Sequence, residues 1–211
     1  MKNYRKSMLV LTATIVMGSS SAYANYVVDG NFASPYAGAD YIDYSAGSNI
    51  GPWHVDSGSV DLIGERWQHA PNNSYSVDLD GWVPGSMSQA LATTAGTYRL
   101  TFSLAGNVGG PDPIKYLRVS AGDHTQDYSF AIAGHTLADM GWVNETFMFH
   151  TTGPTSLKFA SLDPNPNSNG GPVVGNVSIS AVPLPASLPL FLAGLLAMAG
   201  FYRFKKQRMV A

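Results

Sequence analysis

The sequence predicts an all-β domain, an antiparallel sandwich, in the middle of a 211-residue chain. Three observations predict it. Apolar and polar residues alternate over short runs, which is the period of a half-buried strand. Turn signals rich in Gly, Pro and Asn separate those runs at short intervals. No long stretch has the 3.6-residue period of an amphipathic helix.

Taken in order, VVDGNF (27–32), SVDLIG (59–64), SYSVDLDG (74–81) and SMSQALAT (86–93) read as the first strands. GTYRLTFSLAGN (96–107) alternates most cleanly. Tyr98, Leu100, Phe102 and Leu104 face one way; Arg99, Thr101 and Ser103 face the other. IKYLRVSA (114–121) sets Leu117 and Val119 opposite Arg118. WVNETFMFH (142–150) groups Val143, Phe147 and Phe149. TSLKFASL (155–162) and VVGNVSISA (173–181) repeat the pattern. Turns fall at Pro71-Asn72-Asn73, Pro84-Gly85, Gly109-Gly110-Pro111, Gly153-Pro154 and 165–172. Roughly ten short strands with such turns make a sandwich. Segments 34–52 and 163–172 read as longer loops, where binding residues gather on a rigid sandwich.

The two ends read as addresses. Lys2, Arg5 and Lys6 precede the apolar run 8–18, and Ala22-Tyr23-Ala24 supplies small residues for cleavage after Ala24. This is a secretory signal peptide over 1–24. At the other end, 188–204 is apolar for about 17 residues, near the lower limit of a spanning helix. Arg203, Lys205, Lys206 and Arg208 follow it, which places 25–181 outside the cytoplasm. VPLPAS (182–187) with this helix and basic end resembles the PEP-CTERM sorting signals of Gram-negative bacteria, in the VPLPA variant. Pro183 and Pro185 flank Leu184, so the acidic residue of the usual Pro-Glu-Pro is missing. The resemblance implies an exosortase-type peptidase as partner, processing at Pro183–Pro185 and transient passage through the inner membrane. The product is then expected at the cell surface or in the extracellular matrix.

Between the ends, residues 25–181 hold five basic residues against fourteen acidic ones, a formal charge of −9. Such a domain repels phosphate backbones, so nucleic acid is excluded as a partner, and neutral sugars or cations fit better. The chain has no Cys, hence no disulfide framework and no thiolate metal site.

Catalytic signatures are weak. A glycosidase needs two carboxylates flanking a cleft; the domain has two Glu, Glu65 and Glu145, and Asp61 near Glu65 sits in no motif. His54 and Asp56 share a strand face without a third zinc ligand in spacing. No G-x-S-x-G elbow is present. No catalytic residue is therefore assigned. Aromatic residues carry more information, because flat rings bind the apolar faces of sugars. Trp53 and Trp142 lie in strand-like blocks and read as core. Trp67, Trp82, Tyr36, Tyr41 and Tyr44 lie in loops or turns and are the candidate ligand platforms.

VVDGNFASP, WHVDSGSVDLIG, SVDLDGWVPGSMSQAL, GTYRLTFSLAGN and GPVVGNVSIS, in that order, resemble the choice-of-anchor C family, close to domain-of-unknown-function family 642. The resemblance implies a galactose-binding-like jelly roll, secretion and association with wall polysaccharides. Asp78, Gln89 and Asn107 match the family pattern and join the candidate ligand residues. Related sandwiches hold calcium through acids near the first and last strands. Here Ala33 and Gly175-Asn176-Val177 stand in those places. The expectation is a domain without a cofactor, with Asn31 and Asn176 the remaining positions for calcium. The sequence thus points to an exported, non-catalytic protein that binds exopolysaccharide. The alternatives are a structural matrix protein that associates through strand edges and a polysaccharide hydrolase using Glu65 or Asp61.

Overall fold

Strand β7 (Gly96–Gly106) shows why the chain folds as it does. Tyr98, Leu100, Phe102 and Leu104 are buried, while Arg99 and Thr101 are exposed. A strand with one apolar face needs a second layer to cover it. The computed structural model describes residues 25–183 and the single positions Phe191 and Gly194. The other strands are β1 (Tyr41–Ser45), β2 (Asn49–Ile50), β3 (Trp53–Ser57), β4 (Ser59–Ile63), β5 (Ser76–Asp78), β6 (Ser86–Leu91), β8 (Ile114–Ala121), β9 (His124–Ala131), β10 (Val143–Thr151), β11 (Thr155–Ser161) and β12 (Pro172–Ala181). One sheet runs β1-β4-β5-β12-β7-β10 and the other β2-β3-β6-β11-β8-β9. The result is an all-β antiparallel jelly-roll sandwich.

Both inner faces contribute to one core. A chain of rings crosses it: Phe32 to Trp53 at 5.4 Å, Trp53 to Phe159 at 6.0 Å, Phe159 to Phe102 at 5.4 Å and Phe102 to Tyr128 at 5.3 Å. Each such pair contributes about 0.5–1.5 kcal/mol beyond its buried area. Trp53 is fully buried, and its indole N–H donates to the Asp29 carbonyl at 3.2 Å.

Three expectations change. Segment 27–32 is a turn, not a strand. Asp29 (φ 51°) and Phe32 (φ 52°) adopt the left-handed conformation, and a Cβ on Gly30 would lie 2.0 Å from the Val177 carbonyl oxygen. No strand pairing survives that geometry, although Phe32 still fills the core. Segment 34–52, expected as one loop, contains β1 and β2. Strand β9 has no sequence signal in its first half, where all four residues are exposed. It is an edge strand, held in register by β8 and anchored by Tyr128 and Phe130.

The turn at 27–32 is tied to both sheets. Tyr26 N donates to Ile179 O at 3.1 Å on β12. Gln89 of β6 bonds both backbone groups of Val28, at 2.8 and 2.9 Å. The expected signal peptide ending at Ala24 lies outside the described residues, as do Pro185 and the expected helix 188–204 apart from Phe191 and Gly194. Among the described residues no helix is long and apolar enough to cross a membrane.

The second long loop is fixed by a buried cation. On β8, Lys115 shares the inward parity of Leu117 and Val119 and has no exposed surface. Its Nζ donates to the Gly170 carbonyl and stands 3.8 Å from Asp163 Oδ2. Asp163 in turn accepts from Tyr116 N at 2.8 Å. Removing one member of a buried charge pair costs about 3–5 kcal/mol, because the other is left uncompensated. Lys115→Ala is therefore expected to lower the unfolding free energy, read from urea denaturation, by an amount in that range, with a matching fall in the midpoint. A midpoint unchanged from the parent protein would remove Lys115 from this role.

Candidate functional site

Alternation on β4 sends Val60 and Leu62 into the core and leaves Asp61 on the outer face of its sheet. A cleft of about 280 Å³ opens there. Tyr41 and Asp61 come from β1 and β4, Arg66 and Trp67 from the following loop, Gly81 and Trp82 from the β5–β6 connection. Asn107 and Asn169 complete the rim from two further loops.

The β5–β6 connection is pinned from below. Ser59 accepts from Gly81 N at 3.0 Å through its carbonyl and from Trp82 N at 2.7 Å through its hydroxyl. The Trp82 ring nevertheless stays 68% exposed. A rigid backbone thus presents an uncovered aromatic face. Close packing under the loop needs glycine at 81. A Cβ there would lie 2.8 Å from Asp43 Oδ2 and 3.0 Å from Asp61 Oδ1.

Those two oxygens belong to a carboxyl pair. Asp43 on β1 lies opposite Asp61 on β4, and Asp61 lies opposite Asp78 on β5. Asp43 Oδ2 and Asp61 Oδ1 are buried with no hydrogen-bond partner. Two carboxyls that converge in this way are satisfied by one shared proton. Burial first, and the Asp43 charge second, push the Asp61 carboxyl up to about 7. Burial also raises Asp80 to about 6 and Asp78 to about 8.

The structure distributes the sequence candidates unevenly. Tyr41, Trp67, Trp82 and Asn107 line the cleft. Trp67 is half-buried, and its indole N–H has no partner. Asp78 has no solvent access and serves as scaffold. It accepts from Asp80 N at 3.0 Å, Gly171 N at 2.9 Å and Asn107 Nδ2 at 2.7 Å. Gln89 is likewise buried, and its amide is spent on Val28. Tyr44 packs half-buried against the core. Tyr36 stands in another cluster, donating to Glu65 Oε1 at 3.4 Å and meeting the Tyr75 ring edge-on. Trp53 is core, as expected; Trp142 is half-buried beside a separate depression with Gln68 and His69.

Sequence reasoning missed Asp43, Arg66, Gly81 and Asn169, and saw Asp61 only as a doubtful acid. The register of β1 against β4 is the signal that joins them, and it needs β1 to be found first. Asn31 and Asn176 flank a different depression, where Asn176 accepts from Asn72 Nδ2 at 3.2 Å. Among the described residues no group of three or more His, Cys, Asp or Glu is placed to hold a metal ion. His54 bonds Asn49, and Asp56 bonds Ser88 and Lys158.

Residues 25–180 match a family model described as a protein of unknown function (DUF642). Halomucin of Haloquadratum walsbyi is 27% identical over 197 residues, which span 86% of this chain but 2% of that protein's length. Among solved structures, the TmCBM61 module in complex with β-1,4-galactotriose is 13% identical, with a TM-score of 0.47 over 75% of this chain and 99% of that one. CBM35 of Paenibacillus barcinonensis is 14% identical, with a TM-score of 0.42 over 67% of this chain and 99% of that one.

The carboxyls under the cleft make a prediction about pH. An unfolded aspartate titrates near 4, whereas Asp61, Asp80 and Asp78 are raised to between about 6 and about 8. Folding therefore takes up protons. The stability gained is complete below about pH 4 and is lost as pH rises through the folded values. Melting temperatures at constant ionic strength should be higher near about pH 5 than near about pH 8.5. A flat or rising profile over that interval would show that these groups are not held protonated.

Proposed function

The chain belongs to the DUF642 family, described as of unknown function, and from that premise we propose that its sandwich is a non-catalytic carbohydrate-binding domain. The cleft beside Trp82 is the binding site. The observation that carries the reading is the Trp82 ring, 68% exposed on a backbone fixed by Ser59. An aromatic ring held exposed at the mouth of a cleft, with polar groups beside it, is the arrangement that suits a ligand with one apolar face. A sugar ring offers a matching apolar face and a rim of hydroxyls. Tyr41, at 41% exposure, supplies a second ring on the same cleft. Asn169 and Asp61 supply amide and carboxyl groups that bond hydroxyls in either direction, while the Asn107 amide is held by Asp78 and Gly109 and shapes the rim.

The hydrolase alternative loses Glu65 and keeps Asp61, whose carboxyl is raised to about 7 in the cleft. Glu65 is absent from the cleft lining. It accepts from Tyr75 at 2.7 Å and pairs with His69 at 3.1 Å. The Tyr75 hydrogen bond, with the His69 charge, holds its carboxyl below the usual range. A general acid needs the opposite shift.

Export and sorting complete the proposal. Residues 1–24 direct the chain across the inner membrane, and 182–211 present it to an exosortase near Pro183 and Pro185. The processed domain then works at the cell surface or in an exopolysaccharide matrix. Pro183 is exposed at the end of the described domain, where a peptidase could reach it.

Two measurements test this. Glycan arrays probed with the purified protein should show binding, and Trp82→Ala should weaken it by about 2 kcal/mol, roughly thirty-fold in Kd, with an unchanged melting temperature. Binding that survives this substitution, and Tyr41→Ala with it, moves the site elsewhere. Mass spectrometry of the secreted and cell-bound pools should find a C-terminus between Pro183 and Ser187. Intact peptides through Met209 in the membrane fraction would instead make the tail a permanent anchor.

A further inference from the structure

We propose that the cleft selects uncharged glycans and rejects those bearing carboxylate or sulfate groups, through the Asp43–Asp61 pair beneath it and the prior engagement of Arg66 at its rim. The inference rests on the carbohydrate reading of this cleft and adds the charge class of its ligand.

The floor carries negative charge. Asp61 lines the cleft, and Asp43 lies directly opposite it on the neighbouring strand. Their buried oxygens converge beneath Gly81. One proton between them leaves one charge on the pair, and its loss leaves two. Asp78 and Asp80 lie behind the same loop, and both are buried carboxyls. The positive group packed against them is Lys115, whose Nζ is turned to Gly170 and Asp163. An anionic ligand on this floor meets like charge at short range, where the surrounding protein screens less than water.

The rim does not reverse that sign. Arg66 is the cation among the cleft residues. Its Nη1 donates to Asp40 at 2.7 Å, and its guanidinium centre lies 5.8 Å from the Tyr41 ring centroid. An anionic neighbour is thus already placed against one arm of the guanidinium. Recognition of a carboxylate or sulfate is strongest with an unshared guanidinium fork or ammonium, and the cation lining this cleft is shared with Asp40. Hydroxyl groups suit what remains. They donate to the Asp61 carboxyl and accept from the amide of Asn169, both of which line the cleft.

The test uses the purified full-length protein and matched oligosaccharides, each neutral or oxidised at C6 to the uronate, titrated calorimetrically near neutral pH. Neutral forms should bind at least ten-fold more tightly. Asp40→Asn, at an exposed position, frees Arg66 and should raise uronate affinity several-fold while neutral affinity holds. Asp61→Asn should narrow the gap in the same direction. Uronates that bind as tightly as their neutral partners overturn the inference and leave the carbohydrate reading standing. Uronate binding that appears with calcium and vanishes with a chelator also overturns it, because the pair would then be a cation ligand. An unchanged preference in both variants removes it from these residues. Binding of no glycan of either kind overturns both readings together.

Discussion

Asp78 has no access to water, and three donors converge on it: the backbone of Asp80, the backbone of Gly171 and the amide of Asn107. They belong to three separate stretches of chain. One lies in the β5–β6 connection that carries Trp82, one closes the loop 163–171, and one follows β7. Burying a carboxyl is costly unless its lone pairs are used, and here the use is structural. The cleft rim is built from loops that have no strand pairing of their own, and a side chain at the end of β5 sets their relative positions. Asn107 illustrates the chain of cause. It touches the cleft, and its orientation is set by Asp78 on one side and Gly109 N on the other.

Charge is arranged so that a few interactions carry weight and many do not. Arg66–Asp40, Arg118–Asp127 and Lys158–Asp56 are exposed or partly exposed pairs, which water and salt screen. They neutralise the surface without holding the fold. Lys115 is different. Buried beside Asp163 and near Asp80, it balances carboxyls that water cannot reach. Burial raises Asp61, Asp78 and Asp80, so part of the remaining imbalance is met by protons held to a higher pH than a free aspartate holds them. A chain rich in acids and poor in bases thus packs its acids by keeping some of them neutral.

How much of this was legible follows from where each signal resides. Strands β7, β8, β10, β11 and β12 are readable because one face is apolar along most of their length. β1 is not, since YIDYS exposes or half-exposes every residue; only pairing with β4 makes it a strand. The turn at 27–32 misleads because its apolar residues fill the core without a strand's backbone. At the site, rings were the better guide: Trp67, Trp82 and Tyr41 could be singled out as large rings near turn signals. Polar candidates were harder. Asp78 and Gln89 are polar residues within strands and look available, yet tertiary packing covers both. Asp43 and Asp61 are eighteen positions apart, and their meeting is a property of register, which local sequence does not encode.

The two ends of the domain leave side by side. Asn25 Oδ1 accepts from Ile179 N at 2.9 Å, and Val182 N donates to Thr97 O at 2.8 Å. This has a mechanical consequence. Tension entering at Pro183 runs along β12, which is bonded on one flank to β5 and on the other to β7. Those ladders would be loaded in shear, many bonds at once. Tension between residue 25 and residue 183 would instead open the short contact with β12 one bond at a time. The same sandwich is therefore stiff when hauled from its C-terminal end and soft when its two ends are drawn apart.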